Sequence, residues 1–198
     1  MHAADYARVT SAFLEQIDPE HVYFSADDVR GFKTTYSDKA VKGHLSLGDI
    51  REAHALYTLY RERVRERTSW VEAQLTKWNI SDDDVVQFSA LTATWLPSTE
   101  LESVWENKLR REWMINRLRG LAPDAATHTL LRNYQIRRDA MALSDERVEE
   151  MLLNCFTHLF DSHSSYFSPS SWGRAVGPIL NRGIGAALVL KNGLCVFS

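Results

Sequence analysis

Long apolar runs are missing from this 198-residue chain, and the longest, Ala186 to Leu190, is far short of the roughly 20 residues a membrane-crossing helix needs. No transmembrane segment is expected. Cysteine is scarce as well: Cys155 and Cys195 are too few for a disulfide framework, and each stands among apolar neighbours, where a packed thiol is the common role. Charge of one sign is also lacking. A net charge of -3 and a pI near 6.2 give no general pull toward nucleic acid or an anionic membrane. The start, Met1-His2-Ala3-Ala4-Asp5-Tyr6, has neither the basic region nor the apolar stretch of a secretory signal, which leaves a cytoplasmic protein or a missing true start. What is present, 44% hydrophobic and 25% charged residues, is ordinary globular material, enough for one good core.

Helical periodicity fills most of the chain. Tyr6, Val9, Phe13, Leu14 and Ile17 share one face of a first helix, which Asp18-Pro19 breaks. Ser25 with Asp28 caps a second, in which Val29, Phe32 and Tyr36 lie together and Gly43 is the expected stop. Ser46 and Asp49 repeat the start signal for the longest element, running to Trp78, with Ile50, Ala53, Leu56 or Tyr57, Tyr60, Val64 and Trp70 or Val71 as its stripe. Thr99 and Glu102 are spaced as a capping box for a fourth helix ending before Gly120, with Leu101, Val104 or Trp105, Leu109, Trp113 and Leu118 inward. Pro123-Asp124 opens a fifth helix, with Leu130, Leu131, Tyr134 and Met141 inward. Ser144 opens a sixth, carrying Val148, Met151, Leu152, Cys155, Phe156 and Leu159.

The pattern changes at Phe160-Asp161-Ser162-His163-Ser164-Ser165-Tyr166-Phe167-Ser168-Pro169. Ser170 to Gly177 reads as loop, and Ala186–Leu190 and Leu194–Phe197 read as strands joined by an Asn192-Gly193 hairpin turn. The final strand stops without a terminating signal, as a fragment would. The expectation is a mainly α fold: a multi-helix domain over residues 1–178, then a short β-hairpin over 179–198 that opens a second, truncated module.

Candidate chemistry is sparse. Asp161, His163 and the serines Ser162, Ser164 and Ser165 are the residue types of a nucleophilic triad, but working triads gather from separate elements, so a polar loop is the expected role. Cys155, His158 and His163 could be imagined on zinc, yet no fourth ligand is evident and Cys155 lies on a core stripe. His2, His21, His44, His54 and His128 read as surface residues. The alternating arginines and glutamates of Arg61–Arg67 read as a solvated, self-paired face, and Trp70, Trp78, Trp95, Trp105 and Trp113 as core anchors rather than base-stacking platforms. No cofactor, metal site, catalytic residue or nucleic-acid partner is expected. Gly183-Ile184-Gly185-Ala186 is either an ordinary tight turn before a strand or a nest of backbone amides able to hold a carboxylate.

Four phrases then combine: Ile17-Asp18-Pro19 with Tyr23-Phe24; Glu100-Leu101-Glu102-Ser103-Val104-Trp105 leading to Leu118-Arg119-Gly120; Phe160-Asp161 with His163 to Pro169; and Gly183 to Ala186. In this order the chain resembles the amino-terminal part of tail-specific, or carboxy-terminal processing, proteases of the Prc type, serine peptidases with a helical domain, a PDZ domain and a Ser-Lys core. The resemblance implies that Gly183, Ile184, Gly185 and Ala186 form the PDZ loop that binds a substrate's C-terminal carboxylate, in an incomplete groove. It implies a catalytic serine and lysine beyond residue 198, unfolded or C-terminally tagged protein substrates, an adaptor protein as a further partner, and a periplasmic location. A stand-alone helical protein-protein interaction module is the alternative from a different class.

Overall fold

The fold comes from a computed structural model, which describes residues 3–36, 43–44, 47–78, 86, 94–176, 188–191 and 194–197. Helices α1 (Ala3–Ile17), α2 (Ala26–Thr35), α3 (Arg51–Leu75), α4 (Ser98–Leu118), α5 (Pro123–Ala140), α6 (Asp145–His158) and α7 (Pro169–Val176) precede strands β1 (Leu188–Lys191) and β2 (Leu194–Phe197). The chain is thus mainly helical. The strands pair antiparallel, with Leu188 opposite Phe197 and Lys191 opposite Leu194. Asn192, Gly193 and Ala186 lie outside the described residues, as does the segment 179–187. No described helix is long and apolar enough to cross a membrane.

The 25-residue α3 is the spine. Helices α1 and α6 pack on it and on each other, α5 packs on it separately, and α4 packs on α5. The stripes read from periodicity meet between these helices: Val9, Phe13, Leu14 and Ile17 of α1; Leu56, Tyr60, Val64 and Val71 of α3; Leu101, Trp105, Leu109 and Trp113 of α4; Leu130 and Tyr134 of α5; Val148 and Leu152 of α6, all buried. Trp105 is the joint between elements. Its ring lies 5.3 Å from Tyr23, 6.4 Å from Trp70 and 5.9 Å from Tyr134, so one fully buried indole packs against three different segments.

The turn between α1 and α2 is built around a carboxylate. Asp18 is 1% exposed, and its Oδ1 accepts the N–H of Val22 at 3.1 Å while Oδ2 accepts those of Tyr23 and Phe24 at 3.1 and 3.0 Å. Three buried amides outside any helix are thereby satisfied by one side chain. Trp105 Nε1 donates to the Val22 carbonyl at 2.7 Å, which ties the turn to α4. Pro19 follows Asp18 and ends α1, since its ring permits no further helical N–H bond. His21 makes the reversal possible with φ of 52°, the left-handed region. It is buried rather than at the surface as expected, its ring 4.1 Å from that of Trp95 and its Nε2 2.7 Å from Glu15. A sharp turn directly after Asp-Pro needs a left-handed residue, and His21 fills that place.

Other boundaries differ from expectation for local reasons. Ser25 and Asp28 do form the capping box of α2, but that helix ends at Thr35, well before Gly43, as Tyr36 leaves helical dihedrals. Helix α3 begins at Arg51 instead of near Ser46, because Asp49 accepts the Arg51 N–H at 3.0 Å and its guanidinium as well. Thr99 and Glu102 make no capping box: Pro97 is already extended and α4 starts at Ser98, which puts Thr99 inside the first turn. Leu118 is 79% exposed. It stands five residues after Trp113, about 140° round the helix, and the buried place one turn on goes to Asn116.

The arginine-glutamate run of α3 is not wholly self-paired either. Arg63 reaches α2, with Nε 3.0 Å and Nη2 2.5 Å from the two oxygens of Asp28, a fork-to-fork pair that fastens α2 to the spine. Arg67 lies over the rings of Trp70 and Trp105 at 5.9 and 5.6 Å.

Asp18→Ala leaves three amides without their acceptor and is expected to destabilise the fold by about 3 kcal/mol or more, at roughly 1 kcal/mol or above for each group. Urea unfolding followed by circular dichroism checks this. A change below about 1 kcal/mol contradicts the role given to the carboxylate.

Candidate functional site

The stretch where the helical pattern ends is laid along α6 by a polar stripe on that helix. Glu146, Glu150, Asn154 and Thr157 follow one another at steps of four, four and three, which places them in a line along one helical face. The chain returns beside them in the opposite direction. Thr157 Oγ1 donates to the Ser164 carbonyl at 3.3 Å; Asn154 donates to the Tyr166 carbonyl at 2.9 Å and accepts the Tyr166 N–H at 2.8 Å; Glu150 accepts the Ser168 N–H at 3.1 Å; Glu146 accepts the Ser170 N–H at 3.1 Å. Every second residue is held. The match has a geometric cause, since four helical residues advance about 6 Å and two extended residues about 6.6 Å.

Ser170 to Gly177, expected as loop, begins instead with the helix α7. Pro169 occupies the first helical position, where a missing N–H costs nothing. Ser168 is the flanking residue: its Oγ accepts the Ser171 N–H at 3.3 Å and its carbonyl the Trp172 N–H at 2.8 Å. Glu150 lies beneath, 7% exposed. Burial alone would raise its pKa, but the hydroxyls of Ser171 and Ser168, the Ser168 amide and Arg147, 2.6 Å away, hold it down at about 2. The bonds from Ser170 lower the Glu146 carboxyl in the same way.

Asp161, His163 and Ser164 shape this path. Asp161 accepts the His163 backbone N–H at 2.9 Å and the Ser164 hydroxyl at 2.8 Å, so the acid bonds the serine directly and the imidazole does not stand between them. That is a side-chain turn, of the kind short polar residues form with their own backbone. Cys155 is buried, and burial pushes its thiol up to about 11, which keeps it protonated. Among the described residues no three histidine, cysteine or carboxylate side chains are grouped to share a metal ion. Gly183, Ile184, Gly185 and Ala186 lie outside the described residues.

The side chains that hold this path, Glu146, Glu150 and Asn154, are not among the residues singled out from the sequence. Their repeat at helical spacing beside the apolar stripe was the available signal. Exposed aromatic side chains surround the path: Phe160 at 63%, Phe167 at 42% and Trp172 at 58%, the last two with rings 6.0 Å apart.

Glutamate titrates near 4.5 in an unfolded chain and Glu150 near 2 in the folded one, so the unfolded state binds more protons between these values. The stability from this group is complete above 4.5 and is lost as pH falls toward 2. In Glu150→Gln that part of the pH dependence is expected to vanish. Urea midpoints across the interval check it, and an unchanged slope in the variant contradicts it.

The sequence matches the model of the tail-specific protease N-terminal domain over residues 1–170, so the match ends where α6 releases the chain, at Ser170. A curated relative, the tail-specific protease of Haemophilus influenzae, is 24% identical over 167 residues, covering 82% of this chain. The chain spans about a quarter of that relative's length, 24%. With a family match extending over most of its residues, this chain belongs to the tail-specific protease N-terminal domain family.

Proposed function

We propose that this chain is the non-catalytic amino-terminal segment of a tail-specific serine protease, which receives unfolded or C-terminally tagged substrate and fixes the position of a following PDZ domain. The antiparallel clamp of residues 164–170 on α6 carries the reading. A segment bonded at every second residue leaves the helices at a set place and angle, which a mobile linker would not provide. The family membership and the partial coverage of the relative support the same division of labour.

In this reading residues 179–198 are the first strands of the PDZ domain. The amides of Gly183, Ile184, Gly185 and Ala186 hold a substrate's terminal carboxylate, and the strand edge beyond pairs with its backbone. Peptide cleavage belongs to a serine and a lysine outside this chain, the lysine kept neutral by its surroundings so that it can take the serine proton. Neither step calls for a cofactor. The location is the bacterial periplasm, and an adaptor protein is a further partner.

The 198-residue protein is expected to hydrolyse no unstructured protein substrate. In the full-length protease, Asn154→Ala with Glu146→Gln is expected to lower kcat/KM for a long unfolded substrate by about tenfold or more, since misplaced binding elements lose that much. Cleavage of a short chromogenic peptide should be unchanged. Hydrolysis by the 198-residue protein, or full activity of the double variant on the long substrate, contradicts the proposal.

A further inference from the structure

Two depressions meet on the face formed by α3, the α5–α6 connection and α7. The first, about 340 Å³, has Arg61, Arg65 and Arg138 in its wall. The second, about 710 Å³, extends to Phe167 and Ser171. Ala142 lines both, so the two depressions adjoin at the α5–α6 connection, and together they are termed the groove. Its middle is fixed from below, where the buried Tyr57 donates its hydroxyl to the Met141 carbonyl at 3.1 Å.

The charges along this groove do not balance. Arg138 is held by Asp139 at 2.9 Å and stands 3.9 Å from Glu72, and Arg147 is held by Glu150 at 2.6 Å. Arg61 and Arg65 have no ion-pair partner among the described residues. They are one turn apart on α3, where like charges repel, and both face the same depression as Arg138. In a chain with net charge -3 this is a local excess of positive charge with an opening beside it. The connection itself offers a second kind of contact. The backbone N–H and C=O groups of Ala142 and Leu143 make no bond to other protein groups among the described residues, so a stretch of main chain between α5 and α6 is open for pairing. At the far end the exposed ring of Phe167 adds an apolar wall.

We propose that this groove binds an extended acidic segment of a partner polypeptide. The carboxylates of the segment pair with Arg61 and Arg65, its main chain lies along Ala142 and Leu143, and an apolar side chain several residues on rests against Phe167. Unpaired guanidinium groups select carboxylates, and open main chain with a neighbouring apolar wall selects a peptide over a lipid headgroup. This inference does not depend on the protease reading.

The test uses the 198-residue protein and a fluorescein-labelled peptide bearing three consecutive glutamates and, several residues away, a leucine and a phenylalanine, made in both sequence orders. Anisotropy is expected to show saturable binding of one order and none of a peptide with lysines in place of the glutamates. Arg61→Glu with Arg65→Glu should weaken binding by about tenfold or more. Lys77→Glu, past the C-terminal end of α3 and outside the lining of either depression, should change it by less than about twofold. Phe167→Ala should weaken it about threefold or more, and added salt should weaken it progressively. Failure of both peptide orders to bind overturns the proposal, as does an arginine double variant no weaker than Lys77→Glu, or binding indifferent to Phe167. Arginine-dependent binding to phosphatidylglycerol vesicles without peptide binding overturns it in favour of a lipid surface.

Discussion

A backbone that leaves a helix and stays against the protein must find partners for its peptide groups, and in this fold side chains on a helix or just past its end provide them. Asp18, just past the end of α1, takes the amides of Val22, Tyr23 and Phe24, while the polar stripe of α6 takes those of Tyr166, Ser168 and Ser170. Unmet, each of the buried amides among them, those of Val22, Tyr23, Phe24 and Ser168, would cost on the order of 1–3 kcal/mol, a large share of a domain's net stability.

The carboxylates at the two paths differ in what surrounds them. Asp18 is pushed up by burial, against which three amides and the nearby His21 pull down without prevailing. Glu150 is pulled far down because hydroxyls and a guanidinium join its amide donor. Ionisation of Asp18 thus costs some stability as pH rises above its ordinary range, whereas that of Glu150 adds stability above 4.5. Lys108 shows a third balance. Burial opposes its charge, but Glu112, 2.9 Å away, and Glu20, at 2.5 Å, outweigh burial and raise its pKa. The same Glu112 accepts the Tyr134 hydroxyl at 2.6 Å, so this ion cluster joins α4, α5 and the turn after α1.

Helix existence and the apolar stripes were legible in the sequence because periodicity reports burial directly, as Val9, Phe13, Leu109 and Leu152 show. Boundaries were less so: where Pro97 or Asp49 sets the first turn, the start moves by a few residues. The buried polar residues escaped notice. Glu150, Lys108 and His21 carry no mark of burial in their type, and their places follow from partners distant in sequence or from one backbone angle. The change of pattern after Leu159 was legible, and the polar-loop role of its serines agrees with the Asp161 bonds, but the side chains of α6 that hold the path were not singled out. Two of the phrases that carry the family resemblance, around Asp18 and from Phe160 to Pro169, coincide with the two non-helical paths, where side-chain identity is constrained by hydrogen bonding as well as by size.

Native-state hydrogen exchange resolved by residue measures the central claim most directly. If the carboxylates and Asn154 bind the backbone as described, the amides of Tyr23, Phe24, Tyr166 and Ser168 are protected to a degree comparable with the neighbouring turns of α1 and α6. Exchange of these amides at the rate of an unstructured peptide, while α6 itself remains protected, would contradict the account.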